Sequence, residues 1–145
     1  MKKIKKYREY FINKLNESAE KVENYINDIN EMFLLEELES FNLRAYSTKM
    51  SESSEIDKTQ KTINLDIKKL GKILPNSEFN IRLKFNVNDI KDVIIRIVEY
   101  MKDTEYNTYK IHFKLNTMAE WDELKIDDDF NKKCSYLKII FFKNN

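Results

Sequence analysis

The spacing of apolar residues changes once along this chain, and that change constrains the fold more than any other feature. Over residues 4–33 the apolar positions recur three and four residues apart. This spacing predicts one amphipathic helix of about 30 residues, which would be about 45 Å long. Beyond residue 40 most apolar positions alternate with polar ones, which is typical of β-strands with one buried face.

The alternating part of the chain predicts five strands. They cover residues 41–46, 62–67, 79–87, 109–116 and 136–142. A second helix is predicted over residues 89–102, with Asn88 or Asp89 as its N-cap. The resulting order, α-β-β-β-α-β-β, indicates one α+β domain over residues 1–145, in which a five-stranded, mainly antiparallel sheet packs on both helices.

The segments between the predicted elements are interpreted as connections. Residues 47–61 are polar and rich in serine, and residues 68–76 contain the only glycine and the only proline of the chain. We therefore predict a loop and a turn there. Residues 117–135 have an acidic bias and show no clear period, so they are predicted to be a long connection.

The phase of each strand and helix predicts which side chains form the core. The residues expected to be buried are Ile81, Leu83, Phe85, Ile94, Ile97, Ile111 and Phe113. The strand over 136–142 is apolar on both faces, which predicts either a central position in the sheet or an interface. The long first helix is expected to pack on this sheet, and a homodimer through the N-terminal helix is the alternative.

The composition excludes several kinds of chemistry. One histidine and one cysteine cannot form the usual structural zinc site, and one glycine cannot form a glycine-rich phosphate loop. We therefore expect no catalytic residues, no metal and no cofactor. Cys134 is predicted to pack as a small buried hydrophobe in a reducing compartment. No apolar run approaches the ~18 residues that span a bilayer, so we expect a cytoplasmic protein that does not enter a membrane.

Two short segments resemble the strand motif of metal-dependent PD-(D/E)xK nucleases. They are Asp66-Ile67-Lys68 and Glu123-Leu124-Lys125, each with an acid two residues before a lysine. In that family, alternate residues on one face of a strand hold a metal ion and orient a water molecule. The resemblance implies a metal-dependent nuclease as a further alternative. Three-residue matches also arise by chance in a chain of which 35% is charged.

Basic residues collect in two places although the net charge is only +1. The outward phase of the predicted strands carries a set that would share one sheet face: Arg44, Arg82, Lys84, Lys110 and Lys114. We predict that this set binds a partner. The acids at Glu120, Asp122 and 127–129 could instead neutralise it. The second set is a candidate contact for a polyanion: Lys2, Lys3, Lys5, Lys6 and Arg8.

The sequence thus favours a small non-enzymatic binding protein that occupies a surface of a protein or ribonucleoprotein partner. Phage and mobile-element inhibitors of bacterial defence systems, including anti-CRISPR proteins, are often of this kind. The alternative is an accessory protein that binds nucleic acid directly through the basic sheet face. Most aromatic residues of the strands have the inward phase, for example Phe79, Phe85, Tyr109 and Phe113, which argues against base stacking.

Overall fold

The computed structural model describes residues 20–49, 61–72, 74–76, 80–116, 118–126 and 130–143. Within these ranges residues 20–35 are helical and form helix α1. Val22, Ile29 and Phe33 are buried along one side of α1, as the apolar spacing predicts. The first part of the predicted helix, residues 4–19, lies outside the described residues.

The elements that follow α1 are mostly strands, and one helix interrupts them. In chain order they are β1 (Phe41–Lys49), β2 (Lys61–Lys72), β3 (Asn80–Leu83), β4 (Phe85–Asn86), a 3₁₀ turn (Val87–Ile90), α2 (Lys91–Lys102), β5 (Thr108–Lys114), β6 (Asp122–Leu124), β7 (Lys133–Cys134) and β8 (Tyr136–Phe142). The predicted α+β class is confirmed.

The main sheet is antiparallel and has six strands, where the sequence predicts five. Its order is β1-β2-β8-β5-β6, and β3 pairs with the end of β2. The middle strand, β8, has the sequence YLKIIFF, and Leu137, Ile139, Ile140 and Phe141 are all buried. Leu137, Ile139 and Phe141 face the core and Ile140 is buried on the opposite face. The strand order confirms the central position predicted from the composition of this strand.

Both helices cover the same face of the sheet. Cross-strand register aligns Leu65 of β2, Ile139 of β8 and Ile111 of β5 in one row, and each is at most 1% exposed. Ile29 of α1 and Ile97 of α2 belong to the same buried cluster. Burying a side chain of this size contributes about 1.5–3 kcal/mol, so these rows supply much of the stability of the domain.

Polar contacts join α1 and α2 at the rim of this core. The Tyr100 hydroxyl of α2 donates a hydrogen bond to Asp28 of α1, and Arg96 of α2 forms a salt bridge with Glu36. The Tyr25 ring meets the Tyr100 ring edge to face, with centroids 6.4 Å apart. The described part of α1 therefore packs within its own chain. No described helix has the length and hydropathy needed to cross a membrane.

The strand predicted over 79–87 is divided in two. Residues of β3 pair with β2, whereas β4 pairs with β7 in a separate two-stranded sheet. Phe85 is buried as predicted, but Ile81 is 37% exposed and Leu83 is only half-buried. The predicted burial of Ile81 is wrong because it lies opposite Gly71, at the end of β2, where the neighbouring strand offers no side chain.

The turn predicted over 68–76 is also wrong in its first half, because β2 continues to Lys72. Gly71 lies inside this strand and not in a turn. A Cβ atom at Gly71 would lie 2.6 Å from Cδ1 of Leu83, which no side chain tolerates without movement of that leucine. The glycine therefore leaves room for the Leu83 side chain of β3.

The start of the second helix differs from the prediction as well. Asn86, and not Asn88 or Asp89, is the capping residue: its side chain accepts a hydrogen bond of 2.9 Å from the Asn88 N–H, at the start of the 3₁₀ turn. The α-helix itself begins at Lys91. The connection predicted over 117–135 contains β6 and β7, which are three and two residues long and too short to show a period.

Candidate functional site

The sheet face opposite the helices, called the open face from here on, carries the residues that alternate with the core. Cross-strand register aligns one charged row over five strands: Arg44, Asp66, Lys138, His112 and Glu123. Arg44 and Lys138 flank the Asp66 carboxylate on its two neighbouring strands. Opposite charges on directly opposed residues stabilise a sheet, so this row favours the observed register.

The predicted basic set is distributed over the open face unevenly. Arg44 lies on β1, while Lys110 and Lys114 lie on β5, three strand spacings or roughly 14 Å away. Arg82 lies on β3, with its guanidinium over the Tyr136 ring. Lys84 is exposed between β3 and β4 and belongs to neither strand. The N-terminal set, Lys2, Lys3, Lys5, Lys6 and Arg8, lies outside the described residues.

Three further cations share this face but are absent from the predicted set. Lys68 and Lys72 belong to it because β2 is longer than predicted, and Lys138 belongs to it as the charged residue of β8. The described strands then give the open face seven positive side chains, Arg44, Lys68, Lys72, Arg82, Lys110, Lys114 and Lys138, and two negative ones, Asp66 and Glu123. Seven minus two gives a net charge of +5 when His112 is neutral.

The acidic residues that could neutralise the basic set of the open face do not all lie on that face. Asp122 is in register with Phe113, so it has the phase of the helix-covered side. Glu123, the next residue, is in register with His112 on the open face. Residues 127–129 lie outside the described residues. The carboxylates on the open face are thus supplied by the strands themselves, and they compensate only part of the positive charge.

Aromatic residues also lie on the open face, in addition to those of the inward phase such as Phe85 and Phe113. Trp121 and Tyr136 meet edge to face, with ring centroids 5.2 Å apart. The Arg82 guanidinium lies 5.1 Å from the Tyr136 ring centroid, and the Lys114 ammonium lies 4.6 Å from that of Trp121. We call Arg82, Tyr136, Trp121 and Lys114 the aromatic–cation cluster. Sequence reasoning missed both rings, although Trp121 is the only tryptophan and stands among polar residues.

A buried polar group lies beneath two tyrosines of this face. Asp66 is 6% exposed and is hydrogen-bonded to the hydroxyls of Tyr46 and Tyr136. Burial raises the pKa of both tyrosines, and the Asp66 charge raises it further. Within the described chain, Oδ1 of Asp66 has no hydrogen-bond partner.

The two nuclease-like segments do not meet. Asp66 on β2 and Glu123 on β6 share the open face, but β8 and β5 lie between their strands, so they are roughly 14 Å apart. Among the described residues no group of three His, Cys, Asp or Glu side chains could hold a metal ion. The two segments therefore cannot build one metal centre together.

His112 gives this face a predicted pH dependence. Burial lowers the pKa of His112 from its ordinary value near 6.5; Glu123 opposes this shift, and Lys110 and Lys138 add to it. The unfolded chain therefore takes up the proton at a higher pH than the folded chain does. We expect the free energy of unfolding to be at its full value above about pH 6.5 and to fall as the pH drops below it.

Denaturant unfolding of the wild type and of His112→Gln, at pH values of about 5.5 and 7.5, measures this effect. The wild type should lose more stability than the variant between the two pH values. An equal loss in both proteins would show that His112 is not the group responsible.

Comparisons with protein-family models, with curated proteins and with solved structures found no significant match to this chain. What the open face binds is therefore inferred from its own residues, their charge and their spacing.

Proposed function

We propose that this protein is a non-enzymatic binding protein that covers a surface of a protein or ribonucleoprotein partner with its open face. The observation that carries the proposal is the net charge of +5 on a sheet face that also presents Tyr46, Tyr136 and Trp121. Tyrosine, tryptophan and arginine are the residues enriched in the energetic centres of protein interfaces. An inhibitor of a bacterial defence system, as the sequence suggests, would act in this manner.

The arrangement of the rings favours a protein over nucleic acid. Each ring already has a cation over one face: Arg44 lies 4.9 Å from the Tyr46 centroid, and Tyr136 and Trp121 are covered by Arg82 and Lys114. Bases stack on open ring faces, and each of these cations reduces the ring surface that a base could use. Asp66 also interrupts the positive row that a phosphate backbone would follow.

Direct binding of nucleic acid is the second candidate, because seven cations on one face are enough to attract a polyanion. Salt separates the two candidates. Binding to phosphates weakens steeply as salt rises, since each contact releases counterions. An interface with an aromatic centre weakens much less.

The test neutralises three cations of the open face and leaves Arg82 and Lys114 of the aromatic–cation cluster in place; of the three, Lys68 lies 6.0 Å from the Tyr136 ring centroid. In the variant Arg44→Gln/Lys68→Gln/Lys110→Gln we expect at least about a tenfold loss of affinity for the partner, because three charges leave the open face. Glutamine is chosen over glutamate so that no new negative charge lies beside Asp66. The matched control, Lys21→Gln/Lys102→Gln/Lys132→Gln, removes three exposed cations from elsewhere and should bind normally.

The partner is captured from a bacterial lysate at two salt concentrations, with and without nuclease, and is identified by mass spectrometry. Affinities of the purified variants for it are then measured. Equal loss in the test and control variants would remove the open face as the site. Loss of capture after nuclease treatment would show that the partner is nucleic acid and not protein.

A further inference from the structure

The aromatic–cation cluster is assembled from four separate elements of the fold. Lys114 ends β5 and is in register with Tyr136, the first residue of β8. Arg82 comes from β3, which continues along the edge of β2 beyond β8, and Trp121 directly precedes β6. Because paired strands fix these positions, the four side chains are held together before any ligand arrives.

The cluster has a charge at each end and apolar surface between. The contacts run from Arg82 to Tyr136, then to Trp121 and then to Lys114. The Arg82 guanidinium is 5.1 Å from the Tyr136 centroid, the two ring centroids are 5.2 Å apart, and the Lys114 ammonium is 4.6 Å from the Trp121 centroid. Neither Arg82 nor Lys114 forms a salt bridge with a described residue, and both contact rings instead. Contact with a ring leaves N–H donors of each cation free to bind an anion.

Exposed apolar side chains also occur in the turn that follows Lys114 of the cluster. Trp121 is 40% exposed, and Leu115 and Met118, in the turn between β5 and β6, are 49% and 93% exposed. Asn116 holds this turn in shape: its side chain accepts a hydrogen bond from the Met118 N–H, and its carbonyl accepts one from the Ala119 N–H. Methionine and tryptophan exposed together on an ordered turn are typical of a protein-binding surface.

We propose that the aromatic–cation cluster takes an acidic peptide segment of the partner, in which one hydrophobic side chain lies between two carboxylates. The hydrophobic side chain packs on the exposed part of Trp121, and the carboxylates bind Arg82 and Lys114. This inference rests on the proposed function and names the chemistry of the partner at one part of the open face. A basic segment is repelled by the same two cations.

Spacing agrees with an extended peptide. Strand residues rise about 3.3 Å each, so carboxylates two residues before and two residues after a phenylalanine are about 13 Å apart and point to the same side. The three successive contacts of the cluster, each about 5 Å long, set an upper limit on the distance between the two cations that is close to this span. The two carboxylates of such a segment can therefore contact both cations.

The experiment uses the fluorescence of Trp121, the only tryptophan of the chain, as the reporter. The probe is a synthetic peptide, Ser-Glu-Ser-Phe-Ser-Glu-Ser, with blocked ends. Two comparison peptides replace both glutamates by glutamine or the phenylalanine by serine. We expect the probe to change the tryptophan emission and to bind about tenfold or more tightly than either comparison peptide.

Variants of the protein locate the contact. Arg82→Gln and Lys114→Gln should each weaken binding of the probe by about threefold to tenfold, whereas Lys102→Gln, on α2, should not. Circular dichroism of each variant verifies that the fold is retained. Because the chain has no other tryptophan, a change of emission reports on the surroundings of Trp121 alone.

Three results would overturn the inference: equal binding of the glutamine peptide, no change of emission on addition of the probe, or tighter binding of a ten-residue thymidine oligonucleotide. If the probe fails while the Arg44→Gln/Lys68→Gln/Lys110→Gln variant still loses its partner, the open face remains the site and only the peptide chemistry is wrong. If that variant also binds normally, the proposed function fails with it.

Discussion

Phe113→Ala is expected to lower the free energy of unfolding by about 3–5 kcal/mol, the usual cost of removing a buried aromatic ring. Phe113 is 8% exposed and lies on β5 between Leu137 of β8 and the backbone of β6. Backbone hydrogen bonds fix both neighbouring strands, so the sheet cannot close over the space that the ring leaves. Unfolding in guanidinium chloride, followed by circular dichroism, measures the loss.

Leu115→Ala is the matched control for this substitution. Leu115 is two residues further along and has the same alternating phase, but it lies beyond the end of β5 and is 49% exposed. Its truncation should change stability by about 0.5 kcal/mol or less. A loss as large as that of Phe113→Ala would show that the strand and its core-facing phase continue past Lys114.

Cys134 is expected to react with a thiol reagent at pH 8 roughly a thousandfold or more slowly in the folded protein than in the unfolded chain. Its side chain is 0% exposed in the core, opposite Phe85 in the small sheet of β4 and β7. Burial raises the pKa of the Cys134 thiol to about 12, so very little thiolate, the reactive form, exists at this pH. The buried position also confirms the packing predicted from the sequence.

The rate is measured with a chromogenic disulfide reagent, and the same protein in guanidinium chloride is the control. The unfolded chain should release one equivalent per molecule, since the sequence contains one cysteine. Rapid release from the folded protein would contradict the burial of β7 against the core.

The parts of the fold that periodicity predicts are those with long, uninterrupted patterns. Helix α2 and strand β5 each present seven or more residues with a constant period, and strand β8 presents a run of seven residues of which six are apolar. Strands β6 and β7 have three and two residues, and no period can be read from so few. The alternation over 80–86 is real, but alternation does not reveal that the strand changes its partner at Lys84.

The candidate site could be predicted only where it follows from strand phase. Arg44, Lys110 and Lys114 are on the open face because their strands alternate regularly. Lys68 was missed because Gly71 suggests a turn, whereas the glycine makes room for Leu83 of β3. The contact between Trp121 and Tyr136 depends on β8 pairing with β5, which is a long-range property and leaves no local signal.

The central place of β8 in the sheet has a consequence for the order in which this protein can fold. β1 and β2 can pair early, and so can β5 and β6, because each pair is close in sequence. The two pairs share no edge until β8, which follows them all in the chain, enters between β2 and β5. On the ribosome, each half therefore waits with an open, apolar strand edge, a state that invites aggregation or chaperone binding. Folding of the whole sheet is thus delayed until synthesis has passed residue 142.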